Sequence, residues 1–274
     1  MKLVTRVLAR TCTRGAQRAL GWATVVGLLA SAVVGLVVVP PDASQGDVQR
    51  LMYVHVPAAW LAFLSFGVVF VASIAYLRTG QIRWDRVAVS SAEIGVQFCA
   101  LTIVLGSLWG RPVWGAWWTW DPRLTTTAVL LLVYVGYLSL RQVADSPSRR
   151  ARWSAVVGVV GFLDVPIVHM SVVWWRSLHQ EATVLRPGAH TMAGSMLAAL
   201  LLATVAFSTA YAYLMAVRTR VGRVEDRVAG TIMTSPAPRA RVPRGTGILD
   251  GSSEDGAAAR VRPPAYARGR GSDA

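Results

Sequence analysis

The chain has 274 residues, 54% of them apolar and only 15% charged, with a formal net charge of +14. A soluble domain carries about a quarter charged residues, so this composition excludes an ordinary water-soluble fold and points to a bilayer. Nucleic-acid binding is the other reading of so basic a chain, but no nucleic-acid motif accompanies the arginines; anionic lipid at a membrane surface suits the charge better.

Six apolar runs have the length needed to cross a hydrocarbon core about 30 Å thick: roughly 20–39, 53–77, 87–108, 124–140, 153–174 and 191–217. The expected fold is all-α, a polytopic membrane protein with six transmembrane helices. Residues 1–19 form a basic arm (Lys2, Arg6, Arg10, Arg14, Arg18). Such an arm suits a signal peptide or a retained span; the long run Trp22–Val39, followed by Pro40, Pro41 and Asp42 instead of a small-x-small cleavage site, favours a retained span. Residues 20–217 form the membrane domain. The remainder, 218–274, is rich in Arg, Pro, Gly, Ala and Ser and reads as a disordered tail.

Orientation follows from the basic residues, which stay on the cytoplasmic side. With both termini inside, 23 of the 28 Lys and Arg residues fall on inner segments. The outer segments hold Arg50, Arg111, Arg123, Arg176 and Arg186. The connection after the third span therefore faces outward. Within the spans, Glu93 and Asp164 are costly in lipid and often functional; they could pair with each other, bond backbone or line an entry route.

Cys12 in the arm and Cys99 in the third span lie at different depths, which argues against a disulfide. No Cys-x-x-Cys-His is present, so covalently attached haem is not expected. The four histidines, His55, His169, His179 and His190, all fall on the outer side of the six-span arrangement. His190, beside Thr191 at the start of the sixth span, reads as a helix-end or headgroup contact, and His169 as a structural hydrogen-bonder on its helix. His55 and His179 sit on separate connections flanking the loop after span three.

That loop is the most distinctive stretch of the chain. Residues 109–125 read Trp-Gly-Arg-Pro-Val-Trp-Gly-Ala-Trp-Trp-Thr-Trp-Asp-Pro-Arg-Leu-Thr. An interfacial belt places one or two tryptophans at each span end and accounts for Trp22, Trp60, Trp174 and Trp175. Five in one bent loop is too dense for anchoring alone. Trp114, Trp117, Trp118 and Asp121 follow an i, i+3, i+4, i+7 pattern, which predicts a short interfacial helix with three indoles and a carboxylate on one side. Trp109, Trp114, Trp117, Trp118 and Trp120 offer a flat apolar platform, and Arg111, Asp121 and Arg123 give it a polar edge. A planar ligand with an anionic rim suits that chemistry, and haem is one. Haem iron takes axial donors above and below the ring, and neutral imidazole suits both places.

The signature Trp-Gly-x-Pro-x-Trp-Gly-x-Trp-Trp-x-Trp-Asp-x-Arg-Leu-Thr resembles the tryptophan-rich ("WWD") motif of haem-handling proteins of cytochrome c maturation, in particular the CcmC branch. Tyr53-Val54-His55-Val56-Pro57-Ala58-Ala59 agrees with it. So does Pro166-Ile167-Val168-His169, running on to Trp174-Trp175-Arg176-Ser177-Leu178-His179-Gln180. The match covers about 20–217 in order. The resemblance implies that His55 and His179 are the axial ligands of the haem iron and that Trp114, Trp117, Trp118, Trp120 and Asp121 face the ring. Chemistry adds Arg111 and Arg123 as partners for the propionates, since guanidinium pairs with carboxylate by two hydrogen bonds.

By the same resemblance, the protein is expected to hold haem b transiently and non-covalently at the outer face of a bacterial cytoplasmic membrane and to deliver it to a haem chaperone. The implied partners are an ATP-binding cassette complex, a small single-span protein and membrane lipid. The chain contains no Gly-x-x-x-x-Gly-Lys-Ser/Thr, so ATP chemistry would come from elsewhere, and no catalytic constellation suggests an enzyme. The rivals are a haem lyase of the same superfamily, usually longer with large outer domains; a b-type electron carrier, which needs ligands within its spans; and a permease, for which internal repeats are expected.

Overall fold

The computed structural model describes residues 13–180 and 192–234, which contain no β-strand. Six helical segments are long and apolar enough to cross a membrane: Arg14–Val38, Asp47–Thr79, Ile82–Trp114, Pro122–Val143, Pro147–Trp174 and Gly194–Glu225. The shortest has 22 residues, about 33 Å at 1.5 Å per residue. Cys12, Arg186 and His190 lie outside the described residues.

The helices are α1 (Arg14–Val33), α2 (Met52–Thr79), α3 (Ile82–Trp114), α4 (Pro122–Val143), α5 (Pro147–Gly161), α6 (Asp164–Trp174) and α7 (Gly194–Thr234). Their ends are written in the sequence. Thr13, Asp121 and Ser146 cap α1, α4 and α5 with side-chain oxygens, and Pro122 and Pro147 occupy the first turns of the last two, where a missing N–H is harmless. Gly80 and Gly115 close α2 and α3 with φ of 65° and 78°, a left-handed cap that disfavours a Cβ. Helix α1 ends in a wide turn, Val34–Val38. There the Arg50 guanidinium donates to the Gly35 and Val39 carbonyls at 3.1 and 3.0 Å, satisfying acceptors that a helix end leaves orphaned.

Helices α2 and α3 form the central hairpin, against which α4 and α5 pack, while α6 packs against α4. Between lipid-solvated helices, close approach of small residues replaces the hydrophobic drive. Gly95 admits Phe66, Gly158 admits Ser73 and Val69, and Gly161 admits Val133. The Phe66 and Tyr134 rings stack 3.8 Å apart at the centre. The Ser91 hydroxyl joins three helices by donating to the Ser65 carbonyl at 2.8 Å and contacting Tyr211 Oη at 2.7 Å. At one end of the bundle, Arg141 grips Asp85 with two hydrogen bonds of 2.6 and 2.8 Å.

Four expectations change. The third span runs on to Trp114, so Trp109, Arg111 and Trp114 belong to α3 and not to a loop. The short helix expected over 114–121 is absent: the positive φ of Gly115 ends α3, and a residue preceding proline is disfavoured in helical geometry, so Asp121 starts α4 as its cap. The fifth span is broken at 162–163 between α5 and α6. Helix α7 continues to Thr234, so 218–234 is helical instead of disordered; 235–274 lie outside the described residues. Glu93 pairs with Arg218 of α7, not with Asp164. Asp164 begins α6 at the break, with Oδ2 buried and unpaired.

Candidate functional site

The connections 39–51, 115–121 and 175–180 gather at one end of the bundle. Trp109 Nε1–H donates to Gln45 Oε1 at 2.9 Å, tying the first connection to α3. The segment after α6 is tied to the start of α4 by Asp121. Its carboxylate is nearly inaccessible, with 2% side-chain exposure, and takes four hydrogen bonds. Oδ1 accepts from Arg123 N–H at 3.0 Å and meets His179 Nδ1 at 3.1 Å. Oδ2 accepts from Ser177 Oγ–H at 2.8 Å and from Leu178 N–H at 2.7 Å. Ser177 Oγ in turn accepts from His179 N–H at 3.0 Å.

This arrangement fixes the protonation of the pair. Burial works against the Asp121 charge, but the hydrogen bonds from Ser177 and Leu178 and the nearby His179 outweigh it, and the carboxyl stays below the usual carboxylate range. An ionised carboxylate only accepts, so the proton of His179 sits on Nδ1 and its lone pair on Nε2. Burial pushes the His179 imidazole below its ordinary value of 6.5; Asp121 pulls it up and Arg123 pushes it down. The ring is neutral near pH 7, the form that binds metal, and the carboxylate orients it as in many metal sites.

A cavity of about 200 Å³ joins the two histidines expected as ligands: His55 from α2 and His179 both line it, with Arg123 on α4. The rest of its wall is mostly apolar, including Phe63, Leu124 and Val168. Above it, the Trp114 indole meets the His179 ring edge-on at 4.7 Å. Gly110 makes room for that indole: a Cβ there would stand 3.0 Å from its Cε3. The Trp109 ring meets His55 at 5.7 Å, also edge-on.

The structure therefore brings together His55, His179, Asp121, Arg123 and Trp114. It places the other expected residues further out. Trp117 and Trp120 are 58% and 82% exposed, and Trp118 packs edge-on against Trp120. Arg111 is exposed and donates to the Gly115 carbonyl. None of these four lines the cavity. The exposed His169 offers only its carbonyl, which accepts from Arg123 Nη2 at 3.4 Å. Sequence reasoning did not find Ser177, Gln45 or Gly106, and it gave Asp121 to the ring face and not to the imidazole. Only Gly106, a glycine inside an apolar helix, carried a signal.

The family model described as Heme exporter protein C matches residues 4–233. A "Heme exporter protein C" of Bradyrhizobium diazoefficiens is 40% identical over 223 residues, 80% of this chain and 83% of that protein. One of Haemophilus influenzae is 36% identical over 204 residues, 74% and 82% of the two chains. One of Escherichia coli is 38% identical over 162 residues, 59% and 66%. Matched through all six candidate spans and through the tryptophan motif, the chain belongs to the CcmC family, that of heme exporter protein C.

Proposed function

We propose that this protein holds haem non-covalently between His55 and His179 and passes it on for cytochrome c maturation, as a transfer component and not as a catalyst of bond formation. The observation that carries this reading is the shared cavity: two imidazoles from distant segments face one space, with Arg123 beside them. His179 is supplied neutral and oriented by Asp121. The names of the relatives, heme exporter protein C, point the same way.

The cavity's size fits temporary custody. Pockets that enclose a small molecule span roughly 300–1,000 Å³, so about 200 Å³ receives part of a porphyrin and leaves the rest outside. The exposed Trp117 and Trp120 give that remainder an indole surface, and Arg123 is the nearer of the two arginines to pair with a propionate. The chain offers no Cys-x-x-Cys-His for a thioether link, in keeping with a non-covalently held cargo such as haem b.

The excess of basic residues on the opposite end supports placing the site on the outer face of a bacterial cytoplasmic membrane. Residues 1–19 then form a cytoplasmic arm, 20–217 the haem-handling unit, and the chain beyond 234 a cytoplasmic tail. A haem chaperone is the acceptor; an ATP-binding cassette complex with a small single-span protein is the source of energy.

The test is a visible spectrum of the purified protein loaded with hemin. His55→Ala and His179→Ala each shift or abolish the Soret band, and His169→Ala leaves it unchanged. Unaltered haem retention in both of the first two variants removes them as ligands.

A further inference from the structure

The two candidate ligands are held by different physics. His179 hangs on a carboxylate, a charge-assisted hydrogen bond that fixes direction as well as distance. His55 has no such anchor. Its Nδ1 is buried without a well-formed hydrogen bond, the Thr102 backbone carbonyl giving it only a weak polar contact. Shape takes the anchor's place. A Cβ at Gly106 would stand 3.2 Å from His55 Cε1 and 3.8 Å from Nδ1, so the imidazole occupies space that any other residue would fill. Trp109 lies three positions further on, on the same face of α3. Its indole meets the imidazole at 5.7 Å with an interplanar angle of 79° and is itself fixed by the bond to Gln45.

We propose that Gly106 and Trp109 are the positioning residues of His55, keeping its imidazole in line for the haem iron by packing, with Gln45 steadying the indole. The proposal rests on the reading of His55 and His179 as axial ligands. Each atom pair in such a contact contributes only ~0.1–0.2 kcal/mol, so alignment depends on the whole surface being in place. A single methyl at 106 must displace the ring by a few tenths of an ångström or turn it, because the helix backbone behind it cannot retreat.

The experiment uses full-length protein in detergent, loaded with hemin, with spectra recorded with and without added imidazole. Gly106→Ala, Trp109→Leu and His55→Ala are expected to lose the six-coordinate low-spin spectrum, and free imidazole to restore it in all three. Restoration by a small ligand is what a merely structural defect would not show. The hemin off-rate is expected to rise at least tenfold in Gly106→Ala and by a smaller factor in Gln45→Ala. A wild-type spectrum and off-rate in Gly106→Ala overturn the proposal. Where Gly106→Ala does not fold, Trp109→Leu decides by the same criteria, and a wild-type spectrum there overturns it too. Should His55→Ala itself keep the wild-type spectrum, the axial-ligand reading fails and takes the proposal with it, an outcome separable from failure of the positioning residues alone.

Discussion

Asp121 serves both a helix and a histidine, and two substitutions weigh these roles against each other. Its carboxylate caps α4 through Arg123 N–H at 3.0 Å and holds the 177–179 segment through Ser177, Leu178 and His179 at 2.8, 2.7 and 3.1 Å. Alanine removes everything: a cap of about 1 kcal/mol and hydrogen bonds to a charged acceptor worth about 1.5–3 kcal/mol each. Asparagine caps helices as well as aspartate, so the start of α4 survives. With the cap kept on the oxygen that also faces His179, the amide nitrogen stands where Oδ2 was and turns a donor toward the Ser177 and Leu178 donors. The segment carrying His179 therefore loosens, and the imidazole keeps only a neutral partner. Disturbing the partner behind a ligating histidine lowers affinity by about 10–100-fold, roughly 1.4–2.8 kcal/mol. Hemin titrations followed at the Soret band, with thermal unfolding as a control, should therefore find Asp121→Asn more stable than Asp121→Ala yet at least tenfold weaker than wild type for hemin. Wild-type affinity in Asp121→Asn would reduce the carboxylate to a helix cap and refute its role toward His179.

Because the His179 imidazole is held below 6.5 by burial, with Arg123 adding to the effect, its neutral form persists on acidification. Hemin affinity should stay level from neutral pH to below 6.5, then fall as pH drops through the folded-state value. The group's contribution to stability is complete above 6.5 and is lost over that same lower window. Arg123→Ala removes a lowering cause and should move the acid limb of a hemin titration to higher pH; an unmoved limb contradicts the electrostatics. At the other end of the bundle, Asp85→Leu alone strands the largely buried Arg141 (side-chain exposure 12%) and should cost about 3–5 kcal/mol, much of it recovered in Asp85→Leu/Arg141→Leu. Thermal unfolding in detergent checks this, and equal stability of the single variant and wild type refutes it. A cysteine at Trp118 should react with an impermeant maleimide in intact cells, and one at Ser148 only after permeabilisation; reaction of both from one side overturns the proposed orientation.

Much of the fold was legible because lipid imposes one requirement on every outward-facing side chain. Apolar runs therefore mark the spans without any knowledge of packing. Their ends were less legible. The third span was expected to stop near 108 because Trp109, Arg111 and Pro112 look like loop chemistry, yet an interfacial helix end tolerates indole, guanidinium and even proline before Gly115 closes it. The break at 162–163 was invisible for a different reason. Gly158 and Gly161 are small because Ser73, Val69 and Val133 lie against them, a fact about neighbours and not about local propensity.

The site divides along the same line. Residue type alone singled out His55 and His179, since few side chains bind iron and only four histidines are present. The helical spacing of Trp114, Trp117, Trp118 and Asp121 then misled, because periodicity carries information only where the backbone is free to be helical. Gly115 and the Asp121-Pro122 pair remove that freedom. Once Asp121 is a cap and not a helical residue, its side chain turns back toward the helix start, where the 177–179 segment arrives. The pairing of Asp121 with His179 spans 58 positions and leaves no periodic trace in the sequence. The same backbone interruption that breaks the expected aromatic helix thus creates the carboxylate–imidazole contact. A Pro122→Ala substitution that restored helix through 121 should therefore loosen His179 without touching either partner. The readout is the hemin off-rate, expected to rise; an unchanged off-rate together with a measured gain of helix would break this link between cap and ligand.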